Sequence, residues 1–299
     1  MARILIVLKT PLAQRLPAAD LERIIASGVS ERAVLIGSQE RHTATMTEVL
    51  RIFAGDDVET IRVEHIRAGQ EVAADLVVTV GGDGTVFTAA ALRTAAPFLT
   101  VNSDPVRSLG NFARATADTV AELVARWRAG TAGIERLPRL EVQIGPQRWP
   151  FLNDCLFTNP NPAAMCRYLI ETPTGRSVQR SSGVWVSTAA GSTGAIRSAG
   201  MEPERVDQAL LFKVREPFQP PAGAELEGRQ TPPRWLRLIA AGGGAVCYLD
   251  GPNLTVPVSP GEPVTIAPSP RPLVLITRQS HPGPPVSNRP GRRKFLTFR

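Results

Sequence analysis

The 299-residue sequence predicts an α/β N-terminal domain built on a doubly wound parallel sheet, followed by a β-rich, β-sandwich-like C-terminal domain. Three observations carry this. Over roughly the first hundred residues, short β-branched runs alternate with segments of helical spacing, the pattern of strand–helix–strand units. At the centre of that region, Asp75 to Ala96 (DLVVTVGGDGTVFTAAALRTAA) reads as a buried strand, a glycine loop and a helix. Beyond Gly130, Pro and Gly punctuate a series of short strand candidates, as expected of two packed sheets.

Taken in order, Arg3 to Leu8 is the first strand, and Lys9-Thr10-Pro11 leaves its carboxyl end, the side that lines ligand crevices in open α/β sheets. Asp20 to Ser27 reads as helical. Arg41 to Ala54 sets Met46, Val49, Leu50 and Phe53 at helical spacing. Asp57 to Glu64 has strand character, as do Leu76 to Val80 and Phe98 to Asn102. Asp118 to Ala129 predicts a helix that ends at Gly130. The later strand candidates are Glu135 to Ile144, Phe151 to Phe157, Arg167 to Glu171, Gly183 to Thr188, Trp235 to Ala240, Ala245 to Leu249, Pro263 to Ala267 and Leu273 to Arg278. The predicted domains are therefore 1–115 and 116–278, with an extended, basic, Pro-rich tail at 279–299.

Composition narrows the function. Hydrophobic residues make up 43% of the chain, which is globular, and no apolar run approaches the roughly 20 residues that span a bilayer. The sequence reads as soluble, without a presequence and without a membrane partner. Of the net charge of +7, five positive residues fall in the tail (Arg289, Arg292, Arg293, Lys294 and Arg299), so the remainder is nearly balanced. With aromatic residues at 5%, a base-stacking surface has little support, and no nucleic-acid partner is expected. Cys155, Cys166 and Cys247 are too few and too far apart for a zinc site or a disulfide framework; they read as core residues of a protein in a reducing compartment. His42, His65 and His281 are isolated, in no metal-ligand spacing, and read as surface or packing residues.

The glycine loop carries the chemistry. Gly81, Gly82 and Gly84 supply a backbone able to adopt positive φ and to approach a ligand closely, with Thr85 as a cap for the Ala-rich helix. Loop N–H groups and a helix start present partial positive charge, which suits phosphate. A carboxylate beside polyphosphate is costly unless it holds a metal or takes a proton from an attacking hydroxyl, so Asp83 points to phosphoryl transfer. The competing reading makes Asp83-Gly84 a tight turn, which in a hairpin a strand would follow. Asn102-Ser103-Asp104-Pro105, on the next crest, is either a ligand contact or an Asx turn before proline. Thr188 to Gly194 is a second loop of small hydroxyls and glycines, functional or merely a flexible linker. Asn153-Asp154 inside an apolar strand needs partners, which ribose hydroxyls or the backbone would supply. Asp250-Gly251 alone reads as a hairpin turn. The dinucleotide fingerprint G-x-G-x-x-G is missing after the first strand, so any nucleotide is bound another way.

GGDGT at Gly81 to Thr85, Asn153-Asp154, the Thr188 to Gly200 loop and Asp250-Gly251 occur in the order found in NAD kinases, and the sequence resembles that family over almost its whole length. VNSDPVRSLGNF from Val101, SSG at Ser181 to Gly183 and FKVREPF at Phe212 to Phe218 are similar to segments of its mitochondrial-type branch and bacterial relatives. The resemblance implies transfer of the γ-phosphoryl group of ATP to the 2′-hydroxyl of the adenosine ribose of NAD, with Asp83 as general base and magnesium as the divalent cation. It implies nucleotide contacts from Gly81, Gly82, Gly84, Thr85 and Asn102, ribose contacts from Asn153 and Asp154, and further dinucleotide contacts from Arg180, Ser182, Thr188, Ser192, Thr193, Gly194, Ala195, Ser198 and Asp250. It also implies a homodimer, cytoplasmic in a bacterial source. Asp154 stands where many members have glutamate, Ser182 where many have aspartate, and Ala195 where many have an aromatic residue. A lipid kinase with the same glycine loop and a catalytically silent dinucleotide-binding regulator are the rival readings.

Overall fold

The computed structural model describes residues 1–204, 208–220, 222–252 and 254–278; the tail expected at 279–299 lies outside them. In chain order the elements are β1 (Arg3–Leu8), α1 (Leu12–Arg15), α2 (Ala18–Ala26), α3 (Arg32–Ile52), β2 (Asp57–Arg62), β3 (Leu76–Gly81), α4 (Asp83–Ala90), β4 (Phe98–Asn102), β5 (Ala115–Thr116), α5 (Val120–Arg128) and β6 (Gly133–Leu137). Then follow β7 (Leu140–Ile144), β8 (Gln147–Phe151), β9 (Asp154–Thr158), β10 (Cys166–Thr172), β11 (Gly175–Ser181), β12 (Gly183–Thr188), α6 (Ala195–Ser198), β13 (Leu210–Arg215) and β14 (Glu227–Gln230). The series ends with β15 (Leu236–Ala240), β16 (Ala245–Leu249), β17 (Leu254–Val258), β18 (Pro263–Pro268) and β19 (Leu273–Thr277). The chain divides into two compact units, one of Met1–Glu135 continued from Val274 and one of Arg136–Leu273. Packing thus assigns β5, α5 and most of β6 to the first unit, although the sequence places the boundary near residue 115.

In the first unit the sheet runs β2-β1-β3-β4-β19-β6, with β5 on β4. The pairs β1/β2, β1/β3, β3/β4 and β4/β19 are parallel. Residues of both parities are buried along β3 and β4, which requires cover on both faces. Ile4, Ile6, Val78, Val80 and Leu99 pack with Val49 of α3, Phe53 just beyond it, and Leu123 and Val124 of α5. The helix α4 packs on β3 and β1. Each such aliphatic side chain contributes about 1.5–3 kcal/mol when fully buried. Helix α5 stops where Gly130 takes a left-handed φ of 68°, which lets Gly130 and Thr131 N–H groups bond the carbonyls of Trp127 and Arg126 at 3.0 and 2.9 Å.

Several elements differ from the sequence reading. Helix α3 starts nine residues before Arg41 because tertiary contacts carry it through Gly37, whose intrinsic cost is only about 1 kcal/mol. Glu135 to Ile144 is two strands, split at Pro138, which has no N–H to give a ladder. Leu273–Thr277 belongs to the first unit's sheet, with Leu275 opposite Phe98; its apolar run has no local feature that selects one sheet over another. Strands β5, β11, β13, β14 and β17, and β8 apart from Phe151, are additional to those read from the sequence.

The second unit is two six-stranded sheets, β11-β10-β15-β18-β7-β8 and β14-β13-β12-β9-β16-β17. Their inward residues, among them Tyr168, Ile170, Leu238 and Ile266 from one and Phe157, Val186, Phe212 and Cys247 from the other, share one core. Cys155, Cys166 and Cys247 are free thiols buried there, as expected. Burial pushes the Cys155 thiol well above its ordinary value, helped by Cys247, and raises Cys166 to about 11. No helix among the described residues is long and apolar enough to cross a membrane.

Candidate functional site

In the first unit β2 lies on one side of β1 and β3 on the other, so the winding reverses between β1 and β3. Ligands enter open α/β sheets at the carboxyl ends of such a pair. Lys9 N–H bonds the Val80 carbonyl at 3.0 Å and Ser103 N–H bonds the Gly81 carbonyl at 3.2 Å, which ties three strand ends together. The glycine loop leaves from there. A Cβ at Gly81 would collide with the Thr85 side chain and lie 3.0 Å from Lys9 Cβ, whereas one at Gly84 would meet nothing within 4 Å. None of Gly81, Gly82 and Gly84 takes a positive φ, so the expected left-handed loop is corrected: what Gly81 needs is space. Thr85 is likewise not the cap. Gly82 holds that position, helix α4 begins at Asp83, and Thr85 is buried in the first turn.

Asp83 is half-buried, and both its oxygens are held. Oδ2 accepts the N–H of Asn111 and Oδ1 that of Phe112, each at 3.0 Å. An ionised carboxylate has about four lone-pair sites, so each oxygen keeps capacity for a further donor. The Phe112 ring packs edge-on against Phe87 of α4, with centroids 5.2 Å apart. A helix follows Asp83-Gly84, which excludes the hairpin reading.

Asn102 is buried, and its amide shapes a turn: the oxygen accepts Asp104 N–H at 3.1 Å and the nitrogen donates to the Ser108 carbonyl at 3.2 Å. This geometry forms the Asx turn, and each amide atom keeps capacity for one further bond. Beyond it lies a polar cluster that the sequence reading missed. Asp104 accepts from Arg41 Nε at 2.7 Å and Ser38 Oγ at 2.6 Å. Burial works to raise its pKa, but those hydrogen bonds and the charges of Arg41 and Lys9 hold it below the ordinary range. His42 Nδ1 lies 2.9 Å from Ser103 Oγ; burial, then the charges of Lys9 and Arg62, lower its pKa to about 4, so the ring is neutral. Ser38, Arg41 and His42 are spaced i, i+3, i+4 on α3, a polar stripe that a search for apolar spacing passes over.

In the second unit the adjacent strands β12, β9 and β16 bring Thr188, Asn153-Asp154 and Asp250 together. Asp250 has a φ of 52°, and its carboxylate accepts the N–H groups of Leu152, Asn153 and Asp154 at 2.8, 2.6 and 3.3 Å. Those bonds interrupt the run expected over Phe151 to Phe157, so Asn153 stands at a break between β8 and β9 and Asp154 opens β9. Asp250 therefore holds backbone. Asn153 Nδ2 donates to Asp154 Oδ2 at 2.9 Å. Burial raises Asp154 to about 6, against bonds from the Ala195 N–H and Asn153, and raises Asp250 to about 7.

The hydroxyl loop is tied to the same place. Thr188 Oγ1 donates to the Leu152 carbonyl at 2.7 Å and accepts Gly191 N–H at 3.0 Å; a Cβ at Gly191 would strike the Asn153 carbonyl. Ser192 is buried, with its hydroxyl accepting Glu204 N–H at 3.0 Å. A Cβ at Gly194 would sit 3.0 Å from Asn153 Nδ2 and 3.6 Å from Asp154 Oδ2. Thr193 and Ser198 are exposed and Ala195 half-buried. The linker reading is thereby replaced by an ordered 3-10 turn, Ala190–Thr193, leading into α6. Arg180 and Ser182 do not join this group. Ser182 precedes β12 while Thr188 ends it, roughly 20 Å away at strand rise. Arg180 is exposed, its guanidinium 5.0 Å from the Phe218 ring centroid.

Residues 10–129 match the model of the ATP-NAD kinase N-terminal domain. A probable NADH kinase of Oryza sativa subsp. japonica is 34% identical over 171 residues, 49% of this chain and 53% of that protein. An NADH kinase of Arabidopsis thaliana is 30% identical over 220 residues, 64% of this chain and 69% of that protein. The chain belongs to the NAD kinase family. An NAD kinase of Natronomonas pharaonis is 30% identical over 175 residues and 64% of its own length, so this family member matches from about half to two thirds of its relatives. A crystal structure of an NAD kinase from Archaeoglobus fulgidus in complex with ATP has the same fold, with a TM-score of 0.62 and 20% identity over 92% of this chain and 94% of that one. In this member of the NAD kinase family the domain model takes in the glycine loop, Asp83 and Asn102, and the fold match extends the likeness over the sandwich.

Proposed function

We propose that this chain transfers the γ-phosphoryl group of ATP to the 2′-hydroxyl of the adenosine ribose of NAD, forming NADP and ADP. The observation that carries this is Asp83: a carboxylate at the start of a helix, beside glycines, at the switch point of a parallel sheet, in a chain of the NAD kinase family. The ribose oxygen bonds to the γ-phosphorus as the bond to the bridging oxygen of ADP breaks, and the hydroxyl proton passes to Asp83. The N–H groups of the glycine loop and of the first turn of α4 hold phosphate oxygens. Asn153 and Asp154 take the ribose, Asp250 and Thr188 fix the backbone that carries them, Ser192 ties the hydroxyl loop to Glu204, and Thr193, Gly194, Ala195 and Ser198 line the dinucleotide.

Magnesium fits this arrangement. Among the described residues no three His, Cys, Asp or Glu gather, and a magnesium ion that comes with its nucleotide needs only one or two carboxylates beside phosphates and water. Asp83 would touch it, and the ion would offset charge on the phosphates. A homodimer belongs to the proposal: Arg180 and Ser182 lie at the far end of β12 from Asp154, and a second copy is how both groups reach one dinucleotide. The mitochondrial-type branch and a cytoplasmic site are its remaining parts, the former supported by the VNSDPVRS and FKVREPF segments.

The test is NADP or NADPH formation from NAD or NADH with ATP and magnesium, wild type against Asp83→Asn. The expected result is a kcat loss on the order of 10²–10⁴-fold with thermal stabilisation by NAD retained. Normal turnover by Asp83→Asn overturns the assignment of the base. Stabilisation of the wild type without product indicates the silent regulator, and phosphorylation of a diacylglycerol in place of NAD the lipid kinase.

A further inference from the structure

We propose that Arg114 and Glu135 are positioning residues for Asp83, acting through the backbone of residues 111–114; the inference rests on the kinase reading above. The two N–H groups that hold the Asp83 carboxylate belong to Asn111 and Phe112, in a segment without regular secondary structure. Such a segment keeps a fixed aim only if its other polar groups are tied down, and here every adjoining carbonyl is. The buried hydroxyl of Thr100 donates to the Phe112 carbonyl at 2.7 Å. Arg114 Nη1 donates to the carbonyls of Asn111 and Ala113 at 3.0 and 3.1 Å. The Arg114 N–H bonds back to Thr100, to its carbonyl at 2.9 Å and its Oγ1 at 3.0 Å.

The guanidinium is itself held. Its Nε donates to Glu135 Oε2 at 2.7 Å, with the Arg114 side chain 12% and the Glu135 side chain 3% exposed. A carboxylate this deep is costly unless paired. Its second oxygen, Oε1, is buried without a hydrogen-bond partner, so Arg114 is the contact that its charge serves. The order of support runs from Glu135 to Arg114, to the carbonyls of 111 and 113, and through the N–H groups of 111 and 112 to both oxygens of Asp83. Each N–H takes one lone pair, which leaves the carboxylate one orientation for the hydroxyl it deprotonates. Arg114 touches no reacting atom in this scheme. It sets where the base points, and misplacement of a reacting group by about 1 Å costs on the order of 10²-fold in rate.

The experiment compares wild type, Arg114→Met, Arg114→Lys, Glu135→Gln, Asp83→Asn and the double variant Asp83→Asn/Arg114→Met, with kcat, KM for NAD and ATP, and thermal midpoint for each. Arg114→Met is expected to lower kcat on the order of 10- to 100-fold while both KM values stay within about twofold. Arg114→Lys, which keeps a charged donor, is expected to recover part of the loss, and Glu135→Gln, which keeps an acceptor for Nε, to lose less than Arg114→Met. The double variant is expected to be no slower than Asp83→Asn alone, because a residue that acts through the base has nothing left to aim. Full additivity of the two losses overturns the inference. So does a rise in KM with kcat unchanged, or a loss in Arg114→Lys and Glu135→Gln that only follows a fallen thermal midpoint. A wild-type chain that forms no NADP overturns the kinase reading itself, and an active wild type with an unimpaired Arg114→Met overturns the positioning role alone.

Discussion

Gly81 and Gly84 share a residue type for different reasons. At Gly81 the Thr85 side chain and Lys9 Cβ occupy the space a methyl group would need, so Gly81→Ala is expected to destabilise the protein by about 1–3 kcal/mol in urea unfolding. A Cβ at Gly84 would meet, among the described residues and apart from its chain neighbours and its own helix backbone, nothing within 4 Å, and the residue lies in the first turn of α4. Gly84→Ala is therefore expected to leave the ligand-free protein as stable or to stabilise it by up to about 1 kcal/mol, while raising KM for ATP, since the methyl fills the approach a phosphate uses. A destabilised Gly84→Ala with ordinary KM would assign that glycine to folding. The pattern GGDG was legible in the sequence. Which glycine serves the fold was not, because that depends on Thr85 and Lys9, brought near by the helix turn and the neighbouring strand.

Elements carry the next level of constraint. The strand read over Phe151 to Phe157 is broken because Asp250, from the end of β16, takes three consecutive N–H groups that a continuous ladder would have used. Asp250→Ala leaves those donors without their acceptor, and the expected cost is about 1–3 kcal/mol in thermal or urea unfolding. Because β9 opens at Asp154, the same change is expected to raise KM for NAD several-fold more than KM for ATP, measured in steady state. Equal effects on both would separate Asp250 from the dinucleotide. Helix α3 shows the converse case. Its apolar stripe gave away its second half, but its polar stripe of Ser38, Arg41 and His42 meets partners from the turn after β4, sixty or so residues away, which no local pattern encodes.

The whole molecule divides by its response to acid. In the first unit the shifted groups that titrate below pH 7 run one way. His42 is lowered from 6.5 to about 4, and Glu48, Asp56, Glu64, Asp75 and Asp104 are all lowered. Such groups bind protons more readily unfolded, so their contribution is present at neutral pH and is lost as pH falls, for His42 between 6.5 and 4. The second unit holds Asp154 and Asp250, raised from 3.8 to about 6 and about 7. These bind protons more readily folded; their contribution is full below about 4 and is lost as pH rises through 6 to 7. Between pH 7 and 4.5, where His42 carries the change in the first unit and Asp154 and Asp250 that in the second, the first unit is expected to lose hydrogen-exchange protection and the second to gain it. Loss of protection in both units alike would contradict this.

The alternation of β-branched runs with helical segments, the glycine loop and the punctuated second half were enough to determine an α/β unit followed by a sandwich, because periodicity and turn chemistry are local properties. The ordered set GGDGT, Asn-Asp, the hydroxyl loop and Asp-Gly determined the family in the same way. Only the tertiary structure decided that Leu273–Thr277 completes the first sheet, that Asn102 and Asp250 hold backbone, and that Asp83 is aimed by Asn111 and Phe112. A side chain's partner is whatever the fold brings within about 3 Å, and residues separated by tens of positions leave no shared local signal of that meeting.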